Sequence, residues 1–290
     1  MIENYLYGGL ALILFVTILF FSIKGRVYNE FVKSLGKDVP LKFMAPISLY
    51  IIDRYQIITR FYGRVSFIQQ KMIGLHGNRM ATHFTKLYLA QIISTIILCF
   101  TGSVCFALFN EGDHTLFFVG LFFTVIIPMM MIRNLTEQER RRKDEIIAEL
   151  PEYVNKVILL VNAGETIQQA MIRSAFMNKE KQNHPLYKEL MEAMNKLQSN
   201  HPFHQVLNDL SKRCGIQEVS IFTTTVLLNY RKGGQDLILA LRELSGTLWE
   251  KRKAISKIKG EEASSKLVFP LILIFISVMI IIGFPALTLF

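Results

Sequence analysis

Apolar positions along this chain fall into two patterns. The first is unbroken. Four stretches, Tyr5–Ile23, Leu87–Phe109, Leu116–Ile132 and Leu267–Phe290, contain no Asp, Glu, Lys or Arg. A helix needs about 20 consecutive apolar residues to cross a bilayer core, so each predicts a transmembrane helix. Pro128, Pro270 and Pro285 lie in these stretches, where neighbouring helices can satisfy the freed carbonyls. The second pattern is periodic and fills 133–266. Val154, Val157, Ile158 and Val161 repeat at helical spacing. So do Leu186, Leu190, Met194 and Leu197, and Phe203, Val206, Leu207 and Leu210. Val219, Phe222, Val226 and Tyr230 follow, then Leu237, Leu241, Leu244 and Leu248. Such stripes mark amphipathic helices, and no sustained alternation of period two predicts a strand. Leu135–Glu149 extends the third span as a charged helix, supported by the i,i+4 pairs Glu137/Arg141 and Glu139/Lys143. Pro151 is expected to begin a new helix, the first of six between 151 and about 258.

Segment 24–86 is also expected to be helical, with breaks near Gly36–Pro40, Gly63 and Gly74–Asn78. It carries Phe31, Phe43, Tyr50, Tyr55, Phe61, Tyr62 and Phe67. That much apolar surface predicts packing on the larger domain or on a partner. The composition agrees with a membrane protein. Hydrophobic residues make up 51% of the 290, the mean hydropathy is +0.32, and charged residues reach only 19%, against about 25% in soluble domains. This excludes a purely soluble enzyme and a disordered chain. Three cysteines exclude a disulfide scaffold.

Charge gives the orientation. Segment 24–86 holds 11 Lys and Arg against 3 acids, and 133–266 holds 22 against 17. Between them they contain all 33 basic residues of the chain, and the turn Asn110–Thr115 has none. The positive-inside rule places both segments in the cytoplasm, with the N-terminus, the short turn and the C-terminus outside. The start Met1-Ile2-Glu3-Asn4 lacks a basic n-region, and Lys24 and Arg26 follow the apolar run. The first span is therefore an uncleaved anchor. The resulting layout is an anchor (1–23), a cytoplasmic helical loop (24–86), a transmembrane hairpin (87–132), a cytoplasmic helical domain (133–266) and a last span (267–290).

A local pattern recurs. Ala163-Gly164-Glu165-Thr166-Ile167 aligns with Gly233-Gly234-Gln235-Asp236-Leu237. Gly supplies a left-handed residue that ends one helix. Thr166 or Asp236 caps the next, and Gln169 completes a capping box with Thr166. Asn200-His201-Pro202-Phe203 forms a third such corner. The sequence has no phosphate-cradling GxxxxGK[ST] or GxGxxG, no HExxH and no CxxC, so no nucleotide, cofactor or metal site is expected. His201 and His204 share a helix face without a third ligand. Cys99 and Cys105 are packing residues of a span, and Cys214 a small core residue. The basic runs Arg140–Lys143 and Lys251–Lys253 flank spans and are expected at anionic lipid headgroups, not on nucleic acid.

Leu150-Pro151, Ala163-Gly164, the Gly233-Gly234 corner and Lys266-Leu267 leading into a span with Pro270 and Pro285 resemble the type II secretion system F domain. The four-span layout resembles the TadB/TadC branch of Tad (Flp) pilus platform proteins. The resemblance covers about 130–290. It implies an all-α membrane protein with four transmembrane helices and a cytoplasmic six-helix bundle. It implies a non-enzymatic platform in the cytoplasmic membrane that couples a cytoplasmic ATPase to pilin assembly or protein secretion. Its partners would be that ATPase, pilin-like subunits, membrane lipids, and a sister platform protein or a second copy of the chain. By carry-over, Gly164, Glu165, Arg231, Lys232, Gly233 and Gly234 are the candidate partner-binding residues. A transporter or channel is the alternative, but the four spans hold no ionisable residue to mark a substrate path.

Overall fold

A computed structural model describes residues 2–25, 44–109, 114–177, 179–230 and 234–288. Its elements, in order, are α1 (Ile2–Gly25), α2 (Ala45–Arg54), α3 (Ile57–Arg60), α4 (Tyr62–His76), α5 (Asn78–Phe109) and α6 (His114–Asn162). Then come α7 (Ile167–Phe176), a 3₁₀ turn at Lys179–Lys181, α8 (Pro185–Gln198), α9 (Phe203–Cys214), α10 (Gln217–Asn229) and α11 (Gly234–Thr288). Among the described residues there is no strand. Among the described residues three helices are long and apolar enough to cross a membrane, at Met80–Leu108, Phe117–Asn162 and Gln235–Ile282. Gly8–Lys24 of α1 is a shorter apolar helix.

The chain divides into two compact units, 1–141 and 142–290. In the first, α2 packs on α1 and α5, and α4 packs on α5. Its core is aliphatic: Ala45, Leu49, Ile52, Val65, Ile68, Met72, Ala81, Leu89, Ala90 and Leu135. Of the aromatic residues expected to pack in segment 24–86, Tyr50 lies against Phe21 of α1. Tyr55, Phe61, Tyr62 and Phe67 are exposed, and Phe31 and Phe43 lie outside the described residues. The helices turn at Gln56 (φ 47°), at Phe61 beside Gly63, and at Gly77 (φ 77°) within the expected break 74–78, while Gly63 and Gly74 themselves lie inside α4. A Cβ at Gly74 would stand 3.3 Å from the Glu139 side chain, which would have to shift by a few tenths of an ångström. Glu139 in turn pairs with Lys71 of α4 at 2.6 Å.

The second unit is a helical bundle built on the predicted stripes. Val154, Val157, Leu186, Leu190, Met194, Val206, Leu207, Leu210, Val219, Phe222, Val226, Leu237, Leu241, Leu244 and Leu248 are all buried in one core. The centre is aromatic. Tyr153 and Phe222 meet edge to face with centroids 5.9 Å apart, and the Tyr153 hydroxyl donates to the Met171 carbonyl at 3.2 Å. Six helical segments contribute, but the first and last are the ends of longer helices rather than separate elements.

Pro151 does not begin a helix, since α6 runs through it without a break. Proline in a helix interior costs about 3 kcal/mol. The buried stripe Ile146, Leu150, Tyr153, Val154 and Val157 keeps helical phase across the proline, and burying one such side chain contributes about 1.5–3 kcal/mol. Ending the helix at Pro151 would throw that stripe out of register.

Candidate functional site

The three corners predicted from sequence are formed in different ways. At the first, Gly164 has φ 96°. Its N–H donates to Val161 O and that of Glu165 to Leu160 O, which is the paired bonding of a Schellman stop. The Thr166 hydroxyl then accepts from the Gln169 N–H at 3.3 Å and caps α7. At Asn200 the same stop is built without glycine. Asn200 has φ 59°, its N–H donates to Leu197 O, and His201 N–H donates to Lys196 O. Asparagine tolerates this left-handed position better than other side chains do.

The corner at Gly233-Gly234 differs from the expectation. Gly234 opens α11, so Asp236 lies in its first turn instead of capping it. The physical need is still met there, because a carboxylate in the first turn complements the helix dipole. Arg231, Lys232 and Gly233 lie outside the described residues.

Tyr230 joins the Gly164 and Asn200 corners, a role its place in an apolar stripe does not suggest. Its hydroxyl accepts from Gln168 Nε2, just past the Gly164 corner, at 3.3 Å. Its ring stacks on Phe203, which opens the helix after Asn200, at 4.9 Å. Its own backbone leads into 231–233. Tyr230, half-exposed, therefore ties the Gly164 and Asn200 corners together at one end of the bundle. The only sequence signal was that the stripe ended at a helix terminus beside a corner. Glu165 sits at this end, paired with Arg173. Its second carboxylate oxygen is buried with no hydrogen-bond partner among the described residues.

The remaining polar chemistry is structural. Glu189 of α8 is held by Arg142 at 3.1 Å and by Arg213 Nε at 3.2 Å. Lys251 pairs with the buried Glu218, and Arg252 lies over the Trp249 ring at 4.8 Å. Arg142 and Lys251, one from each basic run, are thus engaged by acids of the bundle. Burial, with the nearby Glu189 carboxylate, pushes the Cys214 thiol up to about 12, so it is an inert core residue. His184 caps α8 by accepting from the Leu186 N–H at 3.3 Å, and burial lowers its pKa, which suits that acceptor role. His201 bonds to Lys196 O and His204 to Asn208. Among the described residues no group of three metal-ligating side chains occurs.

Gly164→Val is expected to cost the bundle about 1–2 kcal/mol, since a β-branched residue is forced into the left-handed region. An added Cβ there meets nothing within 4 Å, so the penalty is one of backbone conformation alone. Gly164→Asn should be milder, as should Gly234→Val at its helical position. Denaturation followed by Trp249, the single tryptophan, measures all three. A Gly164→Val midpoint equal to wild type would refute the corner.

Residues 153–285, just under half of the chain, match the family model described as Type II secretion system (T2SS), protein F. No curated protein and no solved structure matches the chain.

Proposed function

We propose that this protein is a platform of the cytoplasmic membrane in a Tad/type IV pilus or type II secretion-like machine. In this reading it is not an enzyme. It couples a cytoplasmic ATPase to pilin assembly or protein secretion. The observation that carries the reading is the protein F match, which takes in both the helical bundle and most of the last apolar helix. Three helices of membrane length support it, and α1 supplies a fourth span. The charge asymmetry between segments supports a cytoplasmic bundle, with both termini and the 110–115 turn outside.

The corner end of the bundle is the surface we assign to the ATPase. Gly164, Glu165 and Tyr230 belong to it, and we assign Arg231, Lys232, Gly233 and Gly234, which follow Tyr230 in the chain, to the same contact. Part of the contact is ionic and therefore weakened by salt. The apolar side chains of α11 from Leu267 to Phe284 are exposed along the helix. They suit lateral contact with lipid, with pilin-like subunits, or with a sister platform protein or second copy.

Two measurements test this. In intact cells, cysteines placed at Asn110 should react with an impermeant reagent, and those at Gln182 should not. Reversing charge at Arg231 and Lys232 should reduce ATPase co-purification at unchanged bundle stability. The opposite labelling pattern, or undiminished association, would overturn the assignment.

A further inference from the structure

Helix α2 is too short to cross a bilayer, yet the structure sets it beside apolar lengths of α1 and α5. The Ser48 and Ser94 hydroxyls are 2.6 Å apart. Ser94 lies eight residues past Lys86, the last charge before the uncharged run of α5, which is about 12 Å along a helix. Asp53 pairs with Lys86 itself at 3.2 Å. Hence α2 runs antiparallel to α5, with Ser48 beside the uncharged run and its last turn at the charged boundary.

A second contact gives the same depth independently. Tyr50 packs on Phe21 of α1 at 5.9 Å. Tyr50 precedes Asp53 by three residues and Phe21 precedes Lys24 by three, about 4.5 Å in each case. Residues 45–52 carry no charge, and Ala45, Pro46, Ile47, Ser48, Leu49 and Ile52 are buried. Pro46 lies in the first turn, where its missing N–H leaves one fewer unsatisfied donor.

The chain leaves α2 through a segment of a different kind. Arg54, Tyr55, Arg60, Phe61, Tyr62 and Arg64 are all exposed. No acidic residue occurs between Asp53 and Glu111, and among the described residues none of these three arginines has an ion-pair partner. Asp53–Lys86 fixes the start of this segment at the boundary of the apolar layer. Aromatic rings and arginines at that depth are the residues that anchor at headgroups.

We infer that α2 lies at the edge of the apolar layer against α1 and α5, and that Arg54, Arg60 and Arg64 with Tyr55, Phe61 and Tyr62 dock on anionic lipid headgroups of the leaflet on the Lys24/Lys86 side. This rests on the membrane spans and not on the platform reading. The test uses the full chain in vesicles of phosphatidylcholine and phosphatidylglycerol, with Trp249→Phe as background. Phe61→Trp should be quenched by lipids brominated on the upper acyl chain and shielded from aqueous iodide. Phe275→Trp, in the last apolar helix, should also be quenched by brominated lipid. Phosphatidylglycerol retained through detergent purification should fall about fivefold for each arginine changed to Gln, and the triple Arg→Lys variant should keep it. Iodide quenching of Phe61→Trp without bromolipid quenching overturns the proposal, as does unchanged lipid retention in a folded triple Gln variant. If Phe275→Trp also escapes bromolipid, the membrane reading falls with it.

Discussion

Phe222→Ala is expected to destabilise the helical bundle by about 3–5 kcal/mol, the range for deleting a buried aromatic side chain. Phe222 is 1% exposed and meets Tyr153 edge to face at the centre of the core. The bundle is built from short helices, α7 to α10, of 10 to 14 residues. Helices of this length are marginal alone, so they depend on this shared core, and the loss should appear across the whole unit. Trp249 fluorescence against denaturant reads it, since the neighbouring Leu248 belongs to the same core. Leu239→Ala provides the contrast. Leu239 is 70% exposed, and its truncation should shift the midpoint by less than about 0.5 kcal/mol. Similar midpoints for the two variants would mean that the core is wrongly placed.

The second large effect is expected in the membrane hairpin. A Cβ on Gly120 of α6 would stand 2.2 Å from the Ser103 Cβ and 2.9 Å from its Cα on α5. The second of these is backbone, so no rotamer change relieves it. Gly120→Leu must push the two helices apart, with a cost at or above the upper end of about 1–3 kcal/mol for overpacking. Small residues permit such close approach between membrane helices, where packing is the main attraction. Gly102 tests the specificity of this claim, because a Cβ there meets nothing within 4 Å. Gly102→Ala should leave the resistance of the hairpin to unfolding in SDS unchanged, while Gly120→Leu should lower it. Equal behaviour of the two would remove the crossing at Gly120.

Much of the bundle could be read from sequence because burial on a helix imposes a period. Every position of the Leu186, Leu237 and Phe203 stripes meets the core as buried or partly buried. The Gly164 stop was equally legible, since a left-handed residue followed by a hydroxyl cap leaves a short chemical signature. Interactions between elements left no such trace. Arg142 reads as one member of a basic run, but in space it holds Glu189 of α8. Pro151 carries a strong local signal to start a helix, and the buried stripe on both sides of it prevailed. Counting aromatic residues in 24–86 indicated a need for packing, yet aliphatic residues make the buried core, among the described residues Tyr50 alone of the named rings packs on a neighbouring ring, and Tyr55, Phe61 and Tyr62 face outward. The convergence of corners on Tyr230 depends on the bundle's three-dimensional closure, which no spacing encodes.

The central claim is that the bundle transmits the work of an ATPase to filament or secretion assembly through a membrane platform. The most direct measurement is deletion of the gene, scored by surface filaments and secreted cargo and by ATPase co-purifying with the restored protein. The account predicts that assembly stops, that wild type restores it, and that the ATPase is recovered with the restored protein. Filaments and cargo at normal levels after deletion, with no ATPase recovered, would contradict it.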